Sequence, residues 1–548
     1  MHKPKLRDAR ADRTTCRSLH WSLSQSGRAN SVWLRDEYSG VVKGEEFMSK
    51  WSRYLLLVIL IAFLPMLGCS GVSTGSPTPA PTPSSTYQVV TISDLHFNPL
   101  YDPRLYLQLV AAAPTEWDAI YKTSTVTAPS IGGTDTNYPL LTYTLASMSQ
   151  NVDSTSSPVI LFTGDLLGHN IPANYCTLMY SPNTPPPTCT SDNSSQIQQF
   201  INNTFTFVAS KMHQALGNVP VIYVPGNIDT YSGGYGPDTN FLSQNESTVY
   251  TQFLNSIGDE ATFANTFDSY GYYSVQPLGS NLLVIGLNSN SFVYGWPSYG
   301  NANTEITWLG QQLQAAQKAG QKVWILMHVP PGANAQEIVL AAPLPKDVNA
   351  SLFTNEAEDM WQWDPGVQSS FIDTLSQYPG VVTLILAGHT HMDEFRILAS
   401  GDVVEQLPSI SPCFGNNPAY KILTVTQNTF TPVDYQSMNY NLGSALPLPF
   451  LPLYHFSTTY GAQSTLTNSL VTLYPQLNSS QSTLDMYTFL YMSGSDGVNP
   501  STQQPWNPIN DVNWPIFGCT IGQANETGYL NCVSSSASNS ADAVTSYH

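Results

Sequence analysis

The chain has 548 residues, with 19 Lys+Arg against 38 Asp+Glu, 42% hydrophobic residues and 10% charged ones. That much apolar content over that length excludes a disordered chain and supplies a core that needs neither metal nor disulfide merely to hold together. Residues 1–53 carry 11 of the basic side chains, leaving 8 against 32 acidic ones from Tyr54 onward; such a surface repels phosphate backbones, so no nucleic-acid binding is expected.

In chain order, residues 1–47 show no apolar periodicity and read as an N-terminal extension ahead of the true start at Met48. A basic segment from Met48 to Arg53 precedes an almost unbroken apolar run, Tyr54–Leu67. That run falls short of the roughly 20 residues that span a bilayer as a helix, so 48–69 reads as an export signal. It closes on Met66-Leu67-Gly68-Cys69-Ser70, which resembles a bacterial lipoprotein box with Cys69 as the lipidated residue. The expectation is an exported chain, tethered to a bacterial envelope through Cys69 or released as a secreted or periplasmic protein. Residues 70–87 form a Pro/Ser/Thr linker that cannot bury a core.

Five short apolar runs bounded by turn residues then read as buried strands: Val89–Ser93, Val159–Thr163, Val221–Val224, Val323–Met327 and Val381–Leu386. Leu282–Leu287 is another. Thr304–Ala319 is an amphipathic helix with Ile306, Leu309, Leu313 and Ala316 on one face, stopped by Gly320. Strand and helix in alternation indicate an α/β domain over 88–439. Beyond it, Leu484, Tyr487 and Tyr491 stand at helical spacing, so 440–532 reads as a mainly helical C-terminal subdomain and 533–548 as a disordered tail. In an exported chain Cys176 with Cys189, and Cys519 with Cys532, are candidate local disulfides; Cys413 is left over and expected to be buried.

Each of the five strands runs directly into polar residues. The first is followed by Asp94 and His96, the second by Gly164-Asp165 and the third by Gly226-Asn227; the fourth ends at His328 and the fifth at Gly388-His389-Thr390-His391. A GD or GN after a strand is usually a plain turn, and a single His a satisfied core residue. Five in this order are different, because ligands of open α/β sheets bind beyond the carboxyl ends of the strands. The imidazoles, two carboxylates and one amide suit Zn²⁺, Mn²⁺ or Fe, and they exceed what one tetrahedral zinc uses. Two ions about 3.5–4 Å apart, sharing a carboxylate, would employ them all.

This order resembles the calcineurin-like metallophosphoesterase family. SDLHFNPLY at 93–101, GDLLGH at 164–169, HVPPG at 328–332, GHTHMDEF at 388–395 and LPSISPCFGNNPAY at 407–420 resemble its acid sphingomyelinase-like phosphodiesterase branch. The resemblance implies two central mixed β-sheets flanked by helices. It implies one metal on Asp94, His96, Asp165 and His391, and a second on Asp165, Asn227, His328 and His389, with zinc the leading identity and Mn²⁺ or Fe as alternatives. It further implies hydrolysis of a phosphodiester or phosphoanhydride by a metal-bridging hydroxide. The family places a histidine after the ligand Asn; here Ile228 stands there and cannot donate a proton, so His169 is the candidate catalytic acid or phosphate contact. The expected partner is a small-molecule diester, nucleotide or phospholipid headgroup. The alternatives are a phosphomonoesterase or nucleotidase on the same site, and a metal-containing surface binding protein with weakened turnover.

Overall fold

The computed structural model describes residues 85–152, 158–179, 195–235, 238–294, 299–353, 360–444 and 449–545. The export signal, Cys69, the linker up to residue 84 and Cys189 lie outside them. Six strands come first in the chain: β1 (Thr86–Ile92), β2 (Ile160–Phe162), β3 (Val221–Tyr223), β4 (Tyr273–Val275), β5 (Leu282–Gly286) and β6 (Lys322–Leu326). Six more complete the set: β7 (Val382–Ala387), β8 (Glu394–Ile397), β9 (Val403–Gln406), β10 (Ala419–Thr426), β11 (Pro432–Asn439) and β12 (Leu451–His455). One sheet has the order β12-β11-β10-β1-β2-β3 and the other β4-β5-β6-β7-β9-β8. The centre of each is parallel, β1-β2-β3 in the first and β5-β6-β7-β9 in the second, with antiparallel strands added outside.

The side-chain alternation of the second sheet shows how the layers stack. Leu282, Val284, Trp324, Leu326, Leu384 and Leu386 join the apolar cluster that also holds Val90, Ile92 and Phe162 of the first sheet. Their neighbours Leu283, Ile285, Val323, Ile325 and Ile385 join a separate cluster with Leu309, Leu313, Val367 and Phe371. The period of two therefore turns one face toward the other sheet and the opposite face toward helices Tyr299–Ala319 and Pro365–Ser376. Burial on both faces is why these strands read as continuous apolar runs. The Trp324 indole donates to the Phe430 carbonyl at 2.8 Å and the Tyr273 hydroxyl to the Tyr223 carbonyl at 2.6 Å, tying sheet to sheet. The result is an α/β sandwich with two mixed sheets inside and helices outside.

The helix read from Ile306, Leu309, Leu313 and Ala316 begins earlier than expected, at Tyr299, and stops at Gly320, whose φ is +69°. The C-terminal segment departs from the sequence reading at its tail. Residues 440–532 are mainly helical, with helices Leu466–Leu477, Gln481–Tyr491 and Trp514–Gly522, although Leu451–His455 first extends the first sheet beside β11. Residues 533–545, expected to be a disordered tail, continue the helix Glu526–Thr545. No Gly or Pro interrupts that helix after Gly528, and Tyr529 and Val533 anchor it in the core. A Cys519–Cys532 disulfide ties it to the preceding helix. Cys176 is disulfide-bonded and Cys413 is a buried thiol. Among the described residues no helix is long and apolar enough to cross a membrane.

Candidate metal centre

The chain leaves β1, β2, β3, β6 and β7 along one edge of the sandwich, and the polar residues after each strand converge there. The turns are sharp. Asp94, His96, Asp165, His389 and His391 all adopt positive φ, between 42° and 73°. For residues with a Cβ this costs of order 1–3 kcal/mol apiece and persists only where the surroundings over-determine it. Those surroundings are inter-loop hydrogen bonds: Asp94 N donates to Gly164 O at 3.0 Å, His96 N to Asp165 O at 2.9 Å and Gly388 N to His328 O at 2.9 Å. Gly226 and Gly388 allow the close approach, since a Cβ on the first would strike the Asp165 carboxylate and on the second Ser93 Oγ.

All seven residues singled out from the sequence surround one centre, and all but half-buried His389 are buried. His96 Nε2 lies 3.1 Å from His391 Nε2 and 3.3 Å from Asp165 Oδ2, while His391 Nε2 is 3.4 Å from Asp94 Oδ1. On the other side of Asp165, His328 Nε2 is 3.2 Å from Oδ2 and 2.9 Å from Asn227 Oδ1. Asn227 Oδ1 is in turn 3.0 Å from His389 Nδ1.

With the rings neutral, as metal ligands have to be, many of these contacts face one lone pair to another. His96 Nδ1 donates to the Leu167 carbonyl at 3.1 Å and His328 Nδ1 to the Thr163 carbonyl at 2.7 Å. Each ring's hydrogen is thereby used on the backbone, and Nε2 turns a lone pair toward carboxylate and amide oxygens. His389 is held the other way round, with Nε2 3.0 Å from the Tyr235 hydroxyl and Nδ1 facing inward. Converging acceptors at about 3 Å repel unless a cation lies among them. The donor set of four imidazoles, two carboxylates and an amide fits a pair of divalent ions.

The electrostatics have the same character. Burial opposes the charge on Asp165, yet His328 and His96 hold its carboxyl well below the usual range. Burial likewise opposes charge on His328, but Asp165 raises it to about 9. His389 is pushed down to about 3 by burial and by His328, and His391 falls well below its ordinary value through burial, His96 and His169. With no metal, one carboxylate is balanced by one imidazolium at the expense of its neighbours. Divalent cations would balance the whole group.

His169 stacks on His96 at 4.1 Å between ring centroids. Asp135 grips it twice, accepting from the backbone N at 2.7 Å and pairing with Nδ1 at 2.8 Å. Burial disfavours the imidazolium but Asp135 outweighs it, holding His169 up at about 10. Ile228 is 3% exposed within the apolar core, and its backbone N donates to Asp165 Oδ1 at 2.8 Å. Asp229 is another brace: its buried carboxylate accepts from Leu166 N, Leu167 N, Gly226 N and the Tyr223 hydroxyl at 2.8–3.2 Å, locking the loop of Asp165 to that of Asn227. Sequence reasoning missed Asp135, Tyr235 and the contacts of Cys413 (3.7 Å from His391 Nδ1) and Phe414 with His391. Asp135 and Tyr235 sit in Gly-rich loops with no strand immediately before them, so no local pattern marks either.

The profile of the calcineurin-like phosphoesterase family matches residues 87–393. Sphingomyelinase phosphodiesterase D of Dictyostelium discoideum is 26% identical over 429 residues, covering 70% of this chain and 84% of the relative. Sphingomyelin phosphodiesterase B of the same organism is 23% identical over 505 residues, covering 83% and 67%. Human sphingomyelin phosphodiesterase is 23% identical over 327 residues, and the chain spans 47% of its length.

Proposed function

Since the chain belongs to the calcineurin-like phosphoesterase family and is a metal-dependent phosphoric ester hydrolase, we propose that it is an exported phosphodiesterase of the acid sphingomyelinase-like kind. The observation that carries this reading is the convergence of Asp94, His96, Asp165, Asn227, His328, His389 and His391 with their lone pairs facing one another. Asp94, His96, Asp165 and His391 would hold one ion. Asp165, Asn227, His328 and His389 would hold the other, with Asp165 shared. The imidazole-rich set favours zinc, with Mn²⁺ or Fe as alternatives. Two such ions, when bound, supply Lewis acidity toward phosphoryl oxygens and access to a nucleophile near neutral pH.

The chain's own residues do the rest. The backbone carbonyls of Leu167 and Thr163 orient His96 and His328, and burial keeps bulk water from the donors. His169, fixed by Asp135 through Nδ1, presents Nε2 as donor to a phosphoryl or leaving oxygen. Ile228 offers no second donor, which tilts the substrate toward phosphoanhydrides or diesters with good leaving groups, such as nucleotides, over simple alkyl diesters. Relatives named for sphingomyelin keep a phospholipid headgroup within the substrate class. The Cys519–Cys532 disulfide accords with an oxidising compartment.

The test is hydrolysis of bis-p-nitrophenyl phosphate against p-nitrophenyl phosphate by the metal-loaded chain. A diesterase turns over the first faster, and Asp165→Ala abolishes both. The reverse preference would establish a phosphomonoesterase instead.

A further inference from the structure

The loop Gly388–His391 contributes two of the seven donors, and both His389 and His391 have positive φ, at 73° and 67°. Something must hold so strained a loop at each end. At the start it is continuous with β7, and Gly388 N donates to His328 O. At the far end stands Asp393, two residues past His391, with every polar atom short of its carbonyl engaged. Its backbone N donates to Tyr491 O at 2.9 Å, Oδ1 pairs with Lys421 Nζ at 2.8 Å, and Oδ2 accepts from the Tyr454 hydroxyl at 2.7 Å.

These partners come from three places. Lys421 lies on β10, is 1% exposed, also pairs with Glu405 at 2.7 Å and sits 4.2 Å over the Tyr435 ring. Tyr454 lies on β12 and is hydrogen-bonded to the Tyr435 hydroxyl at 2.7 Å. Tyr491 closes the helix Gln481–Tyr491. The cluster walls a cavity of about 10 Å³, room for no more than roughly one water, so it is not a second ligand site. Its importance lies in what it holds.

We propose that Asp393, clamped by Tyr454 and Lys421, positions the loop of His389 and His391, so that the strand and helices beyond residue 440 set the affinity of the metal centre. The C-terminal segment is thus a working part of the site, although it supplies no donor to it. Asp393, Tyr454 and Lys421 are positioning residues: each acts on the donors through the backbone of the loop. The inference rests on the reading of the site as a metal centre.

The experiment compares Tyr454→Phe and Asp393→Asn with the unaltered full chain. Zn²⁺ affinity is measured by competition with a chromophoric chelator, and the melting temperature of the metal-free protein is measured in parallel. Loss of a group that orients ligands lowers metal affinity about 10–100-fold. A fall of that size in both variants, well beyond what the change in metal-free melting temperature accounts for, supports the inference. Unchanged affinity with a lowered melting temperature would show a purely structural cluster and overturn it. An unaltered chain that takes up no Zn²⁺ would overturn the reading of the site, and this inference with it.

Discussion

Replacing Ile228 by histidine would put a proton donor at the position where the family pattern has one after Asn227, and the burial of Ile228 bounds its cost. Ile228 is 3% exposed within the main apolar cluster, so the substitution gives up burial worth about 1.5–3 kcal/mol. It does not disturb Asp165, because only the backbone N of residue 228 reaches that carboxylate. Metal content should therefore be unchanged while the unfolding midpoint in urea falls. The catalytic effect should depend on the leaving group. An alkoxide needs a proton as it departs, and a placed general acid contributes about 10²–10⁴-fold. Nitrophenolate hardly needs one. Ile228→His should raise kcat on an alkyl phosphodiester by at least about tenfold and leave bis-p-nitrophenyl phosphate nearly unaffected. Steady-state kinetics on both substrates at matched metal content is the assay. An unchanged ratio between them would refute the argument that residue 228 limits leaving-group protonation.

Removing other braces should separate folding from chemistry. Asp229→Ala would orphan three backbone N–H groups and the Tyr223 hydroxyl; at about 1–3 kcal/mol for each unsatisfied buried group, a loss of about 4 kcal/mol or more is expected in urea unfolding. Asp135→Asn should lower kcat by about ten- to a hundredfold through misplacement of His169, with two metals still bound by elemental analysis. Glu305, away from the donors, is pushed up to about 8 by burial, against two hydrogen bonds from Asn288 and Ser291. Its folded state keeps a proton that the unfolded chain has already lost, so this group favours folding at low pH and its contribution declines as pH rises from about 4.5 toward 8, at up to about 1.4 kcal/mol per unit. Glu305→Gln should flatten that decline in denaturation curves taken across the window; parallel curves would show that the carboxyl is already ionised.

The strands and the donors were legible in the sequence for the same reason. A strand buried on both faces has to be an apolar run, and the residues just beyond its carboxyl end have to be polar if the edge of the sandwich is to bind anything. Val323–Met327 running into His328 carries both statements within six residues. The C-terminal segment was harder to read. Leu451–His455 is an edge strand with a mixed burial pattern, marked by Pro452 as a poor strand candidate, and only its pairing with β11 defines it. The helix through residues 533–545 was hidden by its Ser-rich composition, since the anchors are Tyr529, Val533 and the Cys519–Cys532 bond. Asp135, Tyr235 and Asp393 were invisible for another reason. Each acts on a donor brought near by the fold, at sequence separations of 34 and 154 residues for Asp135–His169 and Tyr235–His389, or through partners on distant strands.

The donors that converge on Asp165 are arranged to hold two cations. The most direct measurement is the metal stoichiometry of the purified full chain, by elemental analysis, beside that of Asp165→Ala. Close to two divalent ions per chain, with loss of at least one on removal of the shared carboxylate, is the predicted result. A chain that binds one ion or none, or whose content is indifferent to Asp165, would rule out a two-metal centre built on that carboxylate.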